Sequence, residues 1–187
     1  MKTTISRIKA LKPHSSGYQN LLNQLGSDFD KDKEFELSSL VGGKNTTGDI
    51  TWLLGKTNNK RALVEFAVFS AELVLPIYEK MNDSKAPREA IELVKKWLNN
   101  ESSVTKQELR DTAYAAATSA YAVAYPNAAY TTYIAAAAAA YATYAASYVS
   151  AANTVSAAYI ATTYAAAADF EKQINDKLIE IIDSIKD

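Results

Sequence analysis

The chain has no cysteine and only one histidine among its 187 residues, and each shortage excludes a kind of chemistry. Without cysteine there can be no disulfides, no thiolate nucleophile and no zinc site of the cysteine–histidine type. A Ser-His-Asp triad would have to use His14 as its base, and the G-x-S-x-G turn that presents a nucleophilic serine does not occur. His14 follows Pro13, which is typical of a surface turn. We therefore predict a non-enzymatic protein with no catalytic residue, no metal and no cofactor.

Neither sign of charge is in excess. The 20 basic residues are balanced by 21 acidic ones, for a net charge of −1, so no overall field attracts nucleic acid or anionic membranes. The N-terminal sequence "MKTTISRIKALKPHSSG" lacks an uninterrupted apolar segment, so we expect no secretory signal and a cytoplasmic location. The glycine-containing stretch "VGGKNTTG" is not a phosphate loop, because Lys44 is followed by Asn45 rather than by serine or threonine. We predict a solvated loop there.

Alternating strand patterns are almost absent, and apolar residues recur three and four positions apart. The segments with helical periodicity cover 3–11, 17–26, 33–43, 48–54, 59–81, 84–100 and the chain from 102 onward. Gly26 is a plausible C-cap and Asp49 a plausible N-cap, and Thr105 and Glu108 have capping-box spacing. The pattern predicts an all-α fold in one domain over residues 1–187, with a charged helical half over 1–100 and an Ala/Tyr-rich half over 101–187.

No charged residue occurs between Asp111 and Asp169, and alanine, tyrosine, threonine and serine dominate the interval. Alanine favours helix, so the question is what this helical stretch faces. A membrane span is disfavoured because leucine, isoleucine and phenylalanine are few and tyrosine is spread throughout. Threonine recurs every eleven residues from Thr132, but the interspersed tyrosines would spoil an ice-binding face. We predict a tightly packed Ala/Tyr-rich helical layer with a break near residues 148–154, followed by an amphipathic C-terminal helix.

One segment is distinctive in the order and spacing of its motifs. "DITWLLGKTNNKRALVEFAVFSAELVLPIYEK" is followed by "APREAIELVKKWLNN" and then by the Ala/Tyr tract. The motif residues are Trp52, Leu53, Leu54, Lys60, Arg61, Ala71, Glu72, Val74, Leu75, Pro76, Glu79, Pro87, Arg88, Ala90, Ile91, Glu92, Trp97 and Leu98. Over about residues 49–168 the chain resembles the immunity-five-like family of bacterial immunity proteins found with polymorphic toxins. The resemblance implies a small cytoplasmic protein that binds a cognate toxin and neutralises it without catalysis.

Three carboxylates, Glu65, Glu72 and Glu79, recur every seven residues on one predicted helix. Arg61 lies one turn before Glu65 and Arg88 one turn before Glu92, the spacing of helical ion pairs. The carboxylates then form either a solvated stripe with an Arg61–Glu65 pair or an anionic patch for a basic toxin. A carboxylate metal cage would need an E-x-x-H step that the chain lacks. The Arg88 side chain could equally hold its helix to a neighbour.

The expected partner-binding surface combines one aromatic residue with four charged ones: Trp52, Arg61, Glu65, Glu72 and Arg88. Trp52 would be a natural anchor if it is exposed, whereas core packing is the alternative for both tryptophans. The expected partner is a cognate protein toxin, with no nucleic acid and no membrane. A helical scaffold or homo-oligomerisation module is the alternative function, and the oligomeric state is left open.

Overall fold

The computed structural model describes residues 1–80, 82–124, 137 and 168–185. Its α-helices are α1 (Ile5–Ala10), α2 (Ser15–Leu25), α3 (Thr47–Lys56), α4 (Lys60–Glu79), α5 (Ala86–Asn99), α6 (Lys106–Ala124) and α7 (Ala168–Ser184). Two short 3-10 helices (Leu37–Leu40 and Glu101–Ser103) and two two-residue strands, β1 (Lys2–Thr3) and β2 (Phe35–Glu36), complete these parts of the chain. The protein is therefore predominantly all-α, as predicted. The single-domain organisation stays a prediction.

The segment 33–43 differs from its predicted helix. Its first part is strand β2, which pairs antiparallel with β1 so that Thr3 lies opposite Phe35. Its next part is the 3-10 helix, whose three-residue spacing turns Leu37 and Leu40 into the core together. Pairing with the N-terminal strand, which is distant in sequence, overrides the local helical periodicity.

The structure confirms two of the three helix caps predicted from the sequence and corrects the third. Gly26 is the C-cap of α2, with a φ of 95° that favours glycine. The Thr105–Glu108 capping box forms at the start of α6. Asp49 is not the N-cap of α3: Thr46 has that position, and Asp49 is its capping-box partner three residues later. Helix α3 consequently begins two residues earlier than Asp49.

Helix α4 is central, because α3, α5 and α7 all pack against it. Phe66, Ala67 and Ala71 on this helix are completely buried, and the Tyr78 side chain is buried with its hydroxyl donating to Asn82. The predicted amphipathic C-terminal helix is confirmed as α7. Its buried stripe consists of Ile174, Leu178, Ile181 and Ile182.

The start of α6 gives the described part of the Ala/Tyr layer. Helix α5 packs along α6, where Ala113 and Ala116 are completely buried while Tyr114 is 70 % exposed. The eleven-residue threonine repeat and the predicted break near 148–154 lie outside the described residues. Among the helices that the structure describes, none combines the length and hydropathy that a membrane crossing requires.

Candidate functional site

The carboxylates of α4 are bonded to neighbouring helices rather than to residues of their own helix. Glu65 accepts from Lys177 on α7 at 3.2 Å, and Glu72 accepts from Lys95 on α5 at 2.9 Å. Glu79 receives two hydrogen bonds from the Arg88 guanidinium on α5. We call these three contacts the α4 seams. Two of them connect α4 to α5, and the third connects α4 to α7.

Two sequence expectations about these charges are corrected. The Arg61–Glu65 pair does not form, because Glu65 is taken by Lys177, which also contacts Glu180 at 2.7 Å. The Arg88–Glu92 pair does not form either, because the planar guanidinium finds a two-oxygen partner in Glu79. The alternative for Arg88, that it holds its helix to a neighbour, is the one observed.

These bonds shift the pKa values of the side chains that form them. Donation from the Arg88 side chain lowers the pKa of Glu79 below its ordinary value of 4.5. The hydrogen bonds to Glu72 and then to Glu92 raise the pKa of Lys95. Burial lowers the pKa of Lys177, but its bonds to Glu180 and Glu65 outweigh burial, and the net pKa is raised. The shifts widen the pH range over which Glu79, Lys95 and Lys177 are charged.

Arg61 is the one predicted charged site residue outside the α4 seams. Its side chain is exposed and makes no ion pair with the described part of the chain. It lines an open depression of about 600 Å³ together with residues that include Asn58, Asn59 and Glu101. The start of α4 beside it has no side-chain cap and no acidic residue in its first turn. Arg61 is therefore an available cation at the positive end of a 20-residue helix.

Trp52 lies elsewhere, in a cleft between α2 and α3 with a volume of about 590 Å³, which we call the α2–α3 cleft. Five of the apolar residues that line it are almost completely buried: Ile8, Leu21, Leu40, Ile50 and Leu53. Pro13, Tyr18 and Trp52, all partly exposed, complete its apolar lining. The Lys56 ammonium lies 5.8 Å from the centre of the Trp52 ring. Trp97, in contrast, is a buried core residue with the Lys60 ammonium 4.8 Å from its ring centre.

Two side chains fix the loop between the 3-10 helix and α3 against α2. Gln24 accepts from the Lys44 and Asn45 amides at 2.8 and 3.3 Å and donates to the Ser39 carbonyl at 3.1 Å. The buried Asn45 side chain donates to the Gly17 carbonyl at 3.0 Å. The predicted solvated loop is therefore partly buried.

The close approach of Asp49 to α2 depends on glycine. A β-carbon at Gly17 would lie 2.4 Å from the Asp49 Oδ1 atom, closer than non-bonded atoms can come. The other carboxylate oxygen of Asp49 accepts from the Thr46 amide and hydroxyl at 3.0 and 2.9 Å. Asp49 is thus fixed by Thr46 on one side and lies directly against the Gly17 backbone of α2 on the other.

The polar residues of the cleft were not recognised as site residues from the sequence. Asn45, Thr46 and Asp49 line it, and so does His14, whose Nδ1 atom caps α2 by accepting from the Ser16 amide at 3.4 Å. The capping-box spacing of Thr46 and Asp49 is visible in the sequence, but nothing in it shows that α2 lies opposite. In the described residues, no three of the histidine, aspartate and glutamate side chains are arranged to hold a metal ion.

The structure therefore separates the predicted site residues into two places. Arg61, Glu65, Glu72 and Arg88 follow α4 and its seams, and Trp52 lines the α2–α3 cleft. A comparison with protein families matches residues 53–184 to the family described as Imm-5 like putative immunity protein. The chain belongs to this family. The match confirms the resemblance seen in the sequence and extends it into α7, while it does not reach back to α1 and α2. No curated protein and no solved structure matches the chain.

Proposed function

We propose that this protein is an immunity protein that binds a cognate protein toxin in the cytoplasm and neutralises it by occlusion, without catalysis. The observation that carries the proposal is the family match over residues 53–184, since that family is one of immunity proteins and implies a protein partner. The α4 seams support a binding role, because charged side chains that are already fixed lose little freedom when a partner docks.

The toxin contact that we propose is the charged surface of α4 and α5, with Arg61, Glu65, Glu72 and Arg88. Glu72 and Arg88 are exposed and already ion-paired within the protein, so they offer fixed polar contacts rather than free charge. Arg61 offers an unpaired guanidinium, and arginine is among the residues that most often dominate binding energy. We therefore assign Arg61 the largest share of the binding free energy, with an acidic group of the toxin as its partner. Electrostatic attraction of this kind mainly raises the association rate.

The test uses the toxin domain encoded beside this gene, purified and titrated against the full chain by calorimetry. Arg61→Ala should weaken binding by about tenfold or more, and raising the salt concentration should slow association with the unchanged protein. Arg7→Ala is the matched control, because Arg7 is also an exposed helical arginine but pairs with Glu34 on another part of the surface. The control should change the affinity by less than about twofold.

Two results would contradict the proposal at different levels. If alanine at all four positions leaves the fold and the toxin affinity unchanged, the proposed surface is wrong and the function stands. If the unchanged protein neither binds the toxin nor protects cells that express it, the function itself is wrong.

The alternative function, a homo-oligomerisation module, is favoured by one observation. Tyr114 is 70 % exposed on α6, beside the exposed Ala115 and Thr118, so an uncharged surface is available on this helix. Light scattering after size-exclusion chromatography decides between the two readings. A monomer at all concentrations excludes the oligomer, whereas a stable oligomer that Tyr114→Arg dissociates would support it.

A further inference from the structure

The α2–α3 cleft has the size and lining of a binding site. Its volume of about 590 Å³ falls within the range of pockets that hold small molecules or the anchoring side chains of partners. Buried aliphatic side chains line it alongside two partly exposed aromatic rings, those of Tyr18 and Trp52. Such a surface gains free energy when an apolar group displaces its water.

The cleft is also preorganised. Gln24 makes two hydrogen bonds to the loop that lines it and one to the 3-10 helix before that loop, and Asn45 anchors the same loop to the carbonyl of Gly17. The capping box fixes Asp49 in place. A partner that enters this cleft does not need to order the loop, so less of the binding free energy is lost.

One ionised group specifies the chemistry of the occupant. Among the described residues that line the cleft, Asp49 is the only aspartate, glutamate, lysine or arginine. Its hydrogen bonds come from the neutral Thr46, and no cation of the described residues pairs with it. Lys56 lies against the Trp52 ring but does not line the cleft. Asp49 lies in the first turn of α3, whose positive end stabilises its charge, but no side-chain cation offsets it among the described residues. A carboxylate beside an apolar, aromatic surface favours an occupant that is apolar and carries a positive charge at one end.

We propose that the α2–α3 cleft receives a large apolar side chain of the toxin, flanked by a lysine or arginine that meets Asp49. This inference rests on the proposed function and adds a second contact to the surface of α4. Of the residues that line the cleft, only Leu53 falls within the family match of residues 53–184. The cleft therefore lies almost entirely outside the matched segment, and the contact proposed there is additional to the one on α4.

The chemistry of the cleft is tested first with small probes that share one aromatic ring and differ in charge. Tryptamine, indole and indole-3-acetate are titrated into isotopically labelled protein, and NMR follows the indole N–H signal of Trp52, assigned with Trp52→Phe. Tryptamine should bind tightest, with about a fivefold preference over indole-3-acetate that Asp49→Asn removes. The asparagine retains a side-chain oxygen for the Thr46 cap, so the helix start is preserved. Glu108→Gln, at the other capping box, is the matched control and should retain the preference.

No change in the Trp52 signal with any probe, or a preference for indole-3-acetate, would overturn the assignment of the cleft.

The second step uses the toxin domain. Asp49→Asn and Trp52→Ala should each weaken its binding by at least about fivefold, while Glu108→Gln should not. Thermal unfolding, followed by circular dichroism, tests whether Trp52→Ala is folded. If it is not, the conservative Asp49→Asn variant alone tests the cleft proposal.

The failures of the two proposals are distinguishable. If toxin binds with full affinity to both cleft variants, the cleft proposal is wrong and the immunity function stands. If toxin does not bind the unchanged protein, the immunity function is wrong and the cleft proposal is rejected with it, whatever the probes show.

Discussion

The α4 seams and the α2–α3 cleft join helices by different bonds. At the seams, carboxylates of α4 meet Lys177, Lys95 and Arg88; the Glu72–Lys95 pair is exposed, whereas Glu79 and Lys177 are only 23 and 19 % exposed. At the cleft, neutral amides of Gln24 and Asn45 bind backbone groups. The seams use long side chains with partners that water also solvates. The cleft uses uncharged side chains whose partners are fixed in the backbone.

This difference determines how each region tolerates change. An exposed ion pair contributes little to stability, because water solvates the separated charges almost as well. A buried amide that loses its partner leaves an unsatisfied polar group, which costs about 1–3 kcal/mol. The exposed Glu72–Lys95 seam can therefore vary in charge while its helices stay packed, whereas the buried Asn45–Gly17 contact at the cleft cannot lose a partner without that cost.

The strongest test of the comparison is whether the two regions unfold together. Phe66 is completely buried in the middle of α4, and Phe66→Ala should lower the free energy of unfolding by about 3–5 kcal/mol through loss of burial and the cavity that remains. Urea unfolding is followed by fluorescence in single-tryptophan backgrounds, with Trp52→Phe or Trp97→Phe, so that one residue reports on the cleft and the other on α5.

The two signals should shift to the same lower midpoint, because one cooperative unit loses stability as a whole. Glu89→Gln, an exposed change on α5, is the control and should leave the midpoint nearly unchanged. Separate midpoints for the cleft and α5 would show two independent units, and the single-domain prediction would be wrong.

A smaller effect is expected at the contact between Gly17 and Asp49. Gly17→Ala places a methyl group against the fixed Asp49 carboxylate and should destabilise the protein by about 1–3 kcal/mol. In an Asp49→Ala background the obstacle is absent, and the same substitution should be neutral or stabilising, since alanine favours helix over glycine by about 1 kcal/mol. Thermal or urea unfolding of the four proteins measures the reversal.

Ser15→Ala, at an exposed position on the same helical turn, controls for changes in the helix start and should stay within about 0.5 kcal/mol. If Gly17→Ala costs the same with and without Asp49, the carboxylate does not limit the approach of α2 to α3. The width of the cleft would then have another cause.

The two regions also differ in how far the sequence predicts them. The seven-residue spacing of Glu65, Glu72 and Glu79 is visible locally, so a carboxylate stripe could be predicted. Its partners could not, because Lys95 lies 23 residues from Glu72 and Lys177 lies on the last helix. Local spacing favoured Arg61 for Glu65, but tertiary packing supplied a different cation.

The cleft had no comparable signal. Asn45 reaches Gly17 across 28 residues and Gln24 reaches Lys44 across 20, so the contacts depend on how α2 and α3 pack. Apolar periodicity predicted the helices that form the cleft because periodicity reports which face is buried. It does not report which helices meet, and a cleft exists only where two of them meet incompletely.

The smallest expected effect concerns the pH dependence of one seam. The pKa of Glu79 is lowered below 4.5 in the folded protein by donation from Arg88, so between the folded and unfolded pKa values the unfolded chain binds more protons. Stability from this pair is therefore complete above about pH 4.5 and is lost as the pH falls through the lowered pKa of the folded state. The difference in unfolding free energy between the unchanged protein and Glu79→Gln should shrink over this interval in urea titrations from pH 7 to pH 3.

A double-mutant cycle with Arg88→Met isolates the pair, because the coupling between the two positions should fade with acid while the separate cost of each substitution remains. A coupling that is equal at pH 7 and pH 3 would mean that the two side chains stabilise the α4–α5 connection by packing alone, and the contrast between ion pairs at the seams and amide hydrogen bonds at the cleft would not hold for this contact.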